Sequence, residues 1–245
     1  MIEAQGLTKV FRDKKRGEIR AADGVSFLCL PGQIYGLLGA NGAGKTTTLR
    51  MLATILKPTD GTARVAGFDI VDQPEQVRAH VGFLSTATAL YGRLTARETV
   101  EYFGRLNGLD NATLKKRADD LFALLDLGPH ASMRCDKLST GNKQKVSIAR
   151  TLVHDPPVMI FDEPTVGLDV MTARTIVGFI RDCRTRGKTV IFSTHVMSEA
   201  EKLCDTIGII HNGKLLREGT LAELRQQTSL TDLEDIFVQA VESAA

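Results

Sequence analysis

With 245 residues, 43% hydrophobic and 24% charged, the chain has room for one large or two small domains and the apolar content of an ordinary globular core. Lysine and arginine number 31 against 29 acids, a net charge of +2, so the totals hold no cationic excess for gripping nucleic acid or an acidic membrane. Cys29, Cys135, Cys183 and Cys204 are widely spaced with no C-x-x-C pair, which argues against a disulfide framework or a zinc site and fits a reducing compartment.

The opening "MIEAQGLTKV" lacks the charged-then-apolar order of a secretion signal. No window approaches the roughly 18 uninterrupted apolar residues of a membrane helix, so service to a membrane would need a separate spanning chain. "RDKKRGEIR" from Arg12 to Arg20 reads as a solvated loop. A buried strand follows in "QIYGLLG" at Gln33, then a helix in "KTTTLRMLATIL", running from Lys45 to the stop "KPTDG" at Lys57. "VGFL" at Val81 is the next strand. From about Thr95 to His154 three helical patterns succeed one another without a strand: "TARETVEYFGRLNG", "NATLKKRADDLFALLDLG" and "KQKVSIARTLVHD". Strands return in "VMIF" at Val158, "TVIF" at Thr189 and "IGII" at Ile207, with the helix "RTIVGFIRDCRTRG" between the first two. The tail "SLTDLEDIFVQAVE" predicts an amphipathic helix whose Thr231-to-Glu234 start fits a capping box. Apolar strands alternating with helices predict an α/β core with a largely parallel sheet, interrupted by an all-helical insert.

The chemistry begins at "GANGAGKT", Gly39 to Thr46, which fits G-x-x-x-x-G-K-[ST] between a strand and a helix. Gly39, Gly42 and Gly44 let the backbone curl so that N–H groups, those of Asn41, Ala43 and Thr47 included, face phosphate oxygens. The helix that follows adds its positive end. Lys45 is placed to reach the β- and γ-phosphates and the Thr46 hydroxyl to ligate Mg²⁺. A dinucleotide fingerprint is excluded, because Thr47 stands where G-x-G-x-x-G needs its last glycine. "VMIFDEPT" ends a strand in two acids. Asp162 is assigned to Mg²⁺, through water, and Glu163 to polarising the attacking water. "KLSTGNKQKVSIAR" from Lys137 offers a second helix start suited to an anion, which raises the question of what one chain does with two.

Gly39–Thr46, "LSTGNKQ" from Leu138, "IFDEPTVGLD" from Ile160 and "STHVMSEAE" from Ser193 together resemble the ATP-binding cassette (ABC) ATPases, in that family's order and along essentially the whole chain. The phrases "LYGRLTARE", "LCDTIGIIHNGKLLREGT" and "DLEDIF" resemble the sodium-extrusion branch of its ABC-2 exporter group. The resemblance implies a P-loop NTPase (RecA-like) α/β core over 1–84 and 156–220, an N-terminal antiparallel β subdomain, a helical subdomain over 85–155 and a helical tail over 221–245. It implies ATP and Mg²⁺ as cofactors, a head-to-tail homodimer, a separate integral-membrane permease as partner, no nucleic acid, and a cytoplasmic place on the inner face of the cell membrane. The two anion sites then become half-sites, with Ser139 and the Gly141 N–H closing over nucleotide held by the other copy. By the same resemblance Phe11 stacks on adenine, His195 contacts the γ-phosphate and Asp169 belongs to the loop that communicates between sites.

Thr86 falls where the family usually has a Gln that senses Mg²⁺ and water; its hydroxyl can still ligate Mg²⁺ or orient water, with a shorter reach. Thr140 and Asn142 also depart from the family's commonest Gly and Gln. An ABC-type ATPase of translation or DNA repair is the alternative from another class, and it usually has paired cassettes or long insertions that this chain lacks. The missing Gln also leaves room for a weakly hydrolysing nucleotide-dependent regulator.

Overall fold

A computed structural model of the chain describes residues 1–13, 17–85 and 89–244. β1 (Ile2–Asp13) and β2 (Gly17–Cys29) form an antiparallel hairpin of half-exposed strands. Arg12 and Gly17–Arg20 therefore stand in strands and not in the loop that their charge suggests; they are exposed on the hairpin's outer end. β3 (Ile34–Leu38) is buried at every position and feeds α1 (Lys45–Leu52). That helix stops earlier than its apolar run predicts. Thr54 takes a left-handed φ of 58°, and the Thr54 and Ile55 N–H groups bond to the Met51 and Arg50 carbonyls, a reversal that closes the last turn without glycine.

β4 (Asp60–Val65) and β5 (Phe68–Asp69) complete a four-stranded antiparallel sheet in the order β2-β1-β4-β5. α2 (Pro74–His80) leads into β6 (Val81–Ser85). The insert holds α3 (Ala96–Leu106), α4 (Asn111–Leu124) and α5 (Thr140–Leu152). α5 begins before the lysine-rich run because the Ser139 hydroxyl caps it. β7 (Val158–Asp162), α6 (Val170–Thr185), β8 (Thr189–Thr194), α7 (Met197–Leu203), β9 (Thr206–His211) and β10 (Lys214–Gly219) follow. The second sheet has the order β10-β9-β3-β8-β7-β6, with every pair parallel except β10 with β9.

α8 (Leu221–Thr228) and α9 (Leu233–Glu242) close the chain. The capping box predicted at Thr231 does not form. Asp232 caps α9 by accepting from the Glu234 N–H, while the Thr231 carbonyl is taken by Arg225. A true capping box sits instead at Thr220 and Glu223, on α8.

One apolar cluster packs the insert, through Val100, Phe122 and Val146, on the sheet face of Leu84, Phe161 and Phe192. A second packs α1 and the antiparallel sheet, through Leu49, Leu52, Leu7 and Val25, on the opposite face at Leu37, Ile160 and Ile191. Strands covered on both sides must be apolar throughout, which is why β3, β7 and β8 read as continuous runs. The C-terminal ends of β3, β7 and β8 emerge together, and many of the candidate site residues collect there.

Candidate nucleotide site

Leu38 ends β3, and the chain turns through Gly39–Gly44 before α1. Gly42 and Gly44 take φ of 83° and 107°, values that a side chain disfavours. A Cβ on Gly44 would strike the Ala21 carbonyl oxygen of the antiparallel sheet. Gly44 is also the cap residue of α1 and offers no side chain to satisfy its first N–H groups, which leaves them for an anion. The turn encloses a cavity of about 220 Å³ lined by Ala21, Asn41 to Thr47 and Glu163.

Lys45 is only 4% exposed. Its ammonium donates to the Gly39 and Ala40 carbonyls at 2.6 and 3.0 Å and pairs with Glu163 Oε1 at 3.0 Å. The Thr46 hydroxyl donates to Asp162 Oδ1 at 3.1 Å. Glu163 holds a left-handed φ of 49°, and His195 Nδ1 lies 3.4 Å from its Oε1. Burial alone would push the Glu163 pKa up. Hydrogen bonding and charge from Lys45, then from His195, overcome that and set it below the ordinary carboxylate value. The charged side chains of the cradle are thus provisionally occupied by one another, while the first N–H groups of α1 stay open to an anion.

Gly39, Asn41, Gly42, Ala43, Gly44, Lys45, Thr46, Thr47, Asp162, Glu163 and His195 are brought to one place. The cavity lining contains none of Phe11, Ser139, Gly141 and Asp169. Phe11 lies 39% exposed on β1 with Lys9 over its ring. Ser139 is exposed at the start of α5, its hydroxyl accepting from the Asn142 N–H at 3.2 Å. Gly141 packs beside Thr172, whose hydroxyl donates to Asp169 Oδ2 at 2.7 Å. Asp169 caps α6, and its carboxyl is held low, first by the Thr172 N–H and then by that hydroxyl. Gly141 and Asp169 therefore share one face, apart from the cradle of their own chain. Gln144, one turn along α5, donates to the Pro164 carbonyl at 3.3 Å and ties that face to the exit of β7. Thr86 lies outside the described residues.

Two hydroxyls went unread in the sequence. Ser193 donates to Asp162 Oδ1 at 2.8 Å, and Ser85 approaches Oδ2 at 3.5 Å. The only linear signal is a polar residue at the end of an apolar strand; what gives it meaning is register across the sheet. Ala21, lining the cavity from the antiparallel sheet, carries no signal at all.

The residues fit a metal–triphosphate pair. Gly44 lets the turn pack against the Ala21 carbonyl that borders the cradle, and a hydroxyl and a carboxylate already stand at hydrogen-bonding distance. No trio of His, Cys, Asp or Glu among the described residues forms a metal nest. A cation at Thr46 and Asp162 would take further oxygens from phosphate and water, which is the habit of Mg²⁺.

The profile described as ABC transporter matches residues 22–166. The chain is 41% identical over 239 residues to the ABC transporter ATP-binding protein NatA of Bacillus subtilis (strain 168), covering 97% of each. It is 40% identical over 224 residues to the Nod factor export ATP-binding protein I of Paraburkholderia xenovorans (strain LB400), covering 91% of this chain and 74% of that one. It superposes with a TM-score of 0.81, at 27% identity, on the dimeric structure of a post-hydrolysis state of the ATP-binding cassette MJ0796 bound to ADP and Pi, covering 90% of this chain and 98% of that one. The chain belongs to the ABC transporter family, whose ATP-hydrolysing cassettes it matches along almost its whole length.

Proposed function

We propose that the chain is the ATP-hydrolysing subunit of an ABC-2-type exporter, working as a head-to-tail pair on a separate membrane-embedded permease. One observation carries the reading: the phosphate-binding turn, Asp162, Glu163 and His195 gather at one cradle, while the exposed Ser139–Gly141 turn does not line it. Two copies related by a two-fold axis would each supply that turn to the other. The relative named for Nod factor export and the dimeric cassette support export and pairing respectively.

In this reading Phe11 stacks on the adenine, and the N–H groups from Gly39 to Thr47 hold the phosphates. Lys45 exchanges the Gly39 and Ala40 carbonyls for phosphate oxygens, which releases Glu163 Oε1. Mg²⁺ held by Thr46 and Asp162 would neutralise charge growing on the phosphates. With Oε1 released, Glu163 is free to polarise the attacking water. His195 orients that carboxylate and reaches the γ-phosphate, and Asp169 reports closure to the second site. Losing the γ-phosphate deletes contacts that only the closed pair makes, and the pair opens.

The working parts are a core over 1–84 and 156–220, a helical part over 85–155 and a tail over 221–245. The helical part and the segment 86–93, including Thr86, receive a cytoplasmic helix of the permease. This places the chain on the inner face of the membrane; no helix among the described residues is long and apolar enough to cross it. For cargo the reading is sodium, supported by the branch phrases around Leu90, Leu203 and Asp232 and by the likeness to NatA. Ion flux in vesicles holding both subunits tests the cargo. The mechanism is tested by Glu163→Gln with ATP and the permease: a stable pair of cassettes is the expected result, and cassettes that stay single sink the shared-site reading.

A further inference from the structure

Asp162 and Glu163 follow each other in the chain, yet backbone alone does not set their mutual geometry. β7 and β8 run parallel with Asp162 opposite Ser193, so the two residues stand side by side at the C-terminal ends of their strands. Ser193 is wholly buried. Its Oγ donates to Asp162 Oδ1 at 2.8 Å and accepts from the Glu163 N–H at 3.1 Å. A backbone N–H can only donate, so the single proton of this hydroxyl is committed to Asp162. One atom therefore joins the proposed metal carboxylate to the backbone of the proposed base.

The join matters because Glu163 sits at a φ of 49°, a left-handed conformation that a residue with a side chain disfavours and that persists only when its surroundings impose it. Its N–H is claimed twice by Ser193, at Oγ and at the carbonyl, 3.2 Å away. Thr46 also donates to Asp162 Oδ1, but on nucleotide binding that hydroxyl must turn to the cation. Of the two donors to Oδ1, Ser193 is the one that stays, with Ser85 at 3.5 Å from Oδ2. We infer that Ser193 is a positioning residue for hydrolysis, holding Asp162 and Glu163 at a fixed separation while the groups on the nucleotide side exchange partners.

The inference rests on the roles proposed above for the two acids, and the experiment separates the two claims. Ser193→Ala should lower kcat about 10–100-fold, the usual cost of losing a partner that orients a metal-site carboxylate, with ATP affinity by calorimetry unchanged. Mn²⁺ binding in the presence of a non-hydrolysable ATP analogue, read by electron paramagnetic resonance, should weaken with it. Ser193→Thr, which keeps the hydroxyl on the strand, should restore most of both. Wild-type kcat and wild-type Mn²⁺ affinity in Ser193→Ala would overturn the inference, provided Asp162→Asn and Glu163→Gln are impaired. If those two turn over normally, the acid roles fall and the inference falls with them. Equal losses in the Ala and Thr variants, accompanied by lowered melting temperatures, would make Ser193 a packing residue and also overturn it.

Discussion

The chain contains two helix starts suited to anions, and they are built differently. The turn before α1 has a nearly buried lysine, two carboxylates and an open cavity, and its polar groups satisfy one another. The turn before α5 is exposed, and its serine is already engaged on the Asn142 N–H. A helix N-terminus by itself is a weak attraction. What makes the first one a site is the convergence of charges that exchange partners when a ligand arrives. The second has none of these, and under the proposed pairing it would act only against a cradle supplied by another copy.

The largest test of that contrast removes the base. Glu163→Gln should cut turnover by about 10²–10⁴, the range for a positioned acid–base group. Binding should tighten, because Lys45 loses the carboxylate that competes for its ammonium. Turnover at the wild-type rate would mean that another group activates water. Next in size, Lys45→Ala should weaken ATP binding measured by calorimetry by about 10–100-fold, as expected for charge-assisted hydrogen bonds worth about 1.5–3 kcal/mol. Unchanged affinity would show that the ammonium stays with Gly39, Ala40 and Glu163 when nucleotide binds.

A smaller effect belongs to the turn before α5. Ser139→Ala should leave the ATP affinity of the dilute single chain intact while lowering turnover in the paired form. It should also cost about 1 kcal/mol of stability through the lost cap. Ser139→Asn keeps a capping oxygen, so it should restore stability without restoring turnover. Weakened ATP binding by the single chain would place Ser139 in its own cradle and undo the contrast.

What the sequence revealed follows the same division. β3, β7 and β8 are covered on both faces and read directly as apolar runs. β1 and β2 did not, because they are half exposed and their register shifts at Ala4, Leu7 and Lys9 break any alternation. Gly39–Thr46 was legible because adjacent residues do the work. The Ser193 bridge and the Lys45–Glu163 pair were not, since each depends on strands brought together by the sheet. Thr231 misled for a local reason: its carbonyl serves Arg225, and the cap passes to Asp232.

The smallest effect distinguishes the two starts by pH. Burial raises the Glu163 pKa, but Lys45 and then His195 bring it below its ordinary 4.5. A carboxylate with a depressed native pKa contributes stability that is complete above its unfolded value and is lost as pH falls through the native one. The sensitive window therefore lies below about pH 4.5. Lys45→Met keeps the buried stem and removes the ammonium. With 20% of the Glu163 side chain open to solvent screening, the loss at neutral pH should be on the order of 1 kcal/mol by urea denaturation, shrinking as the solution is acidified through that window. The Ser139 cap is a neutral hydroxyl, so the Ser139→Ala deficit should not change across the same range. A Lys45→Met deficit equally indifferent to acid would mean that the ammonium stabilises the fold through the Gly39 and Ala40 carbonyls alone, and not through its pairing with Glu163.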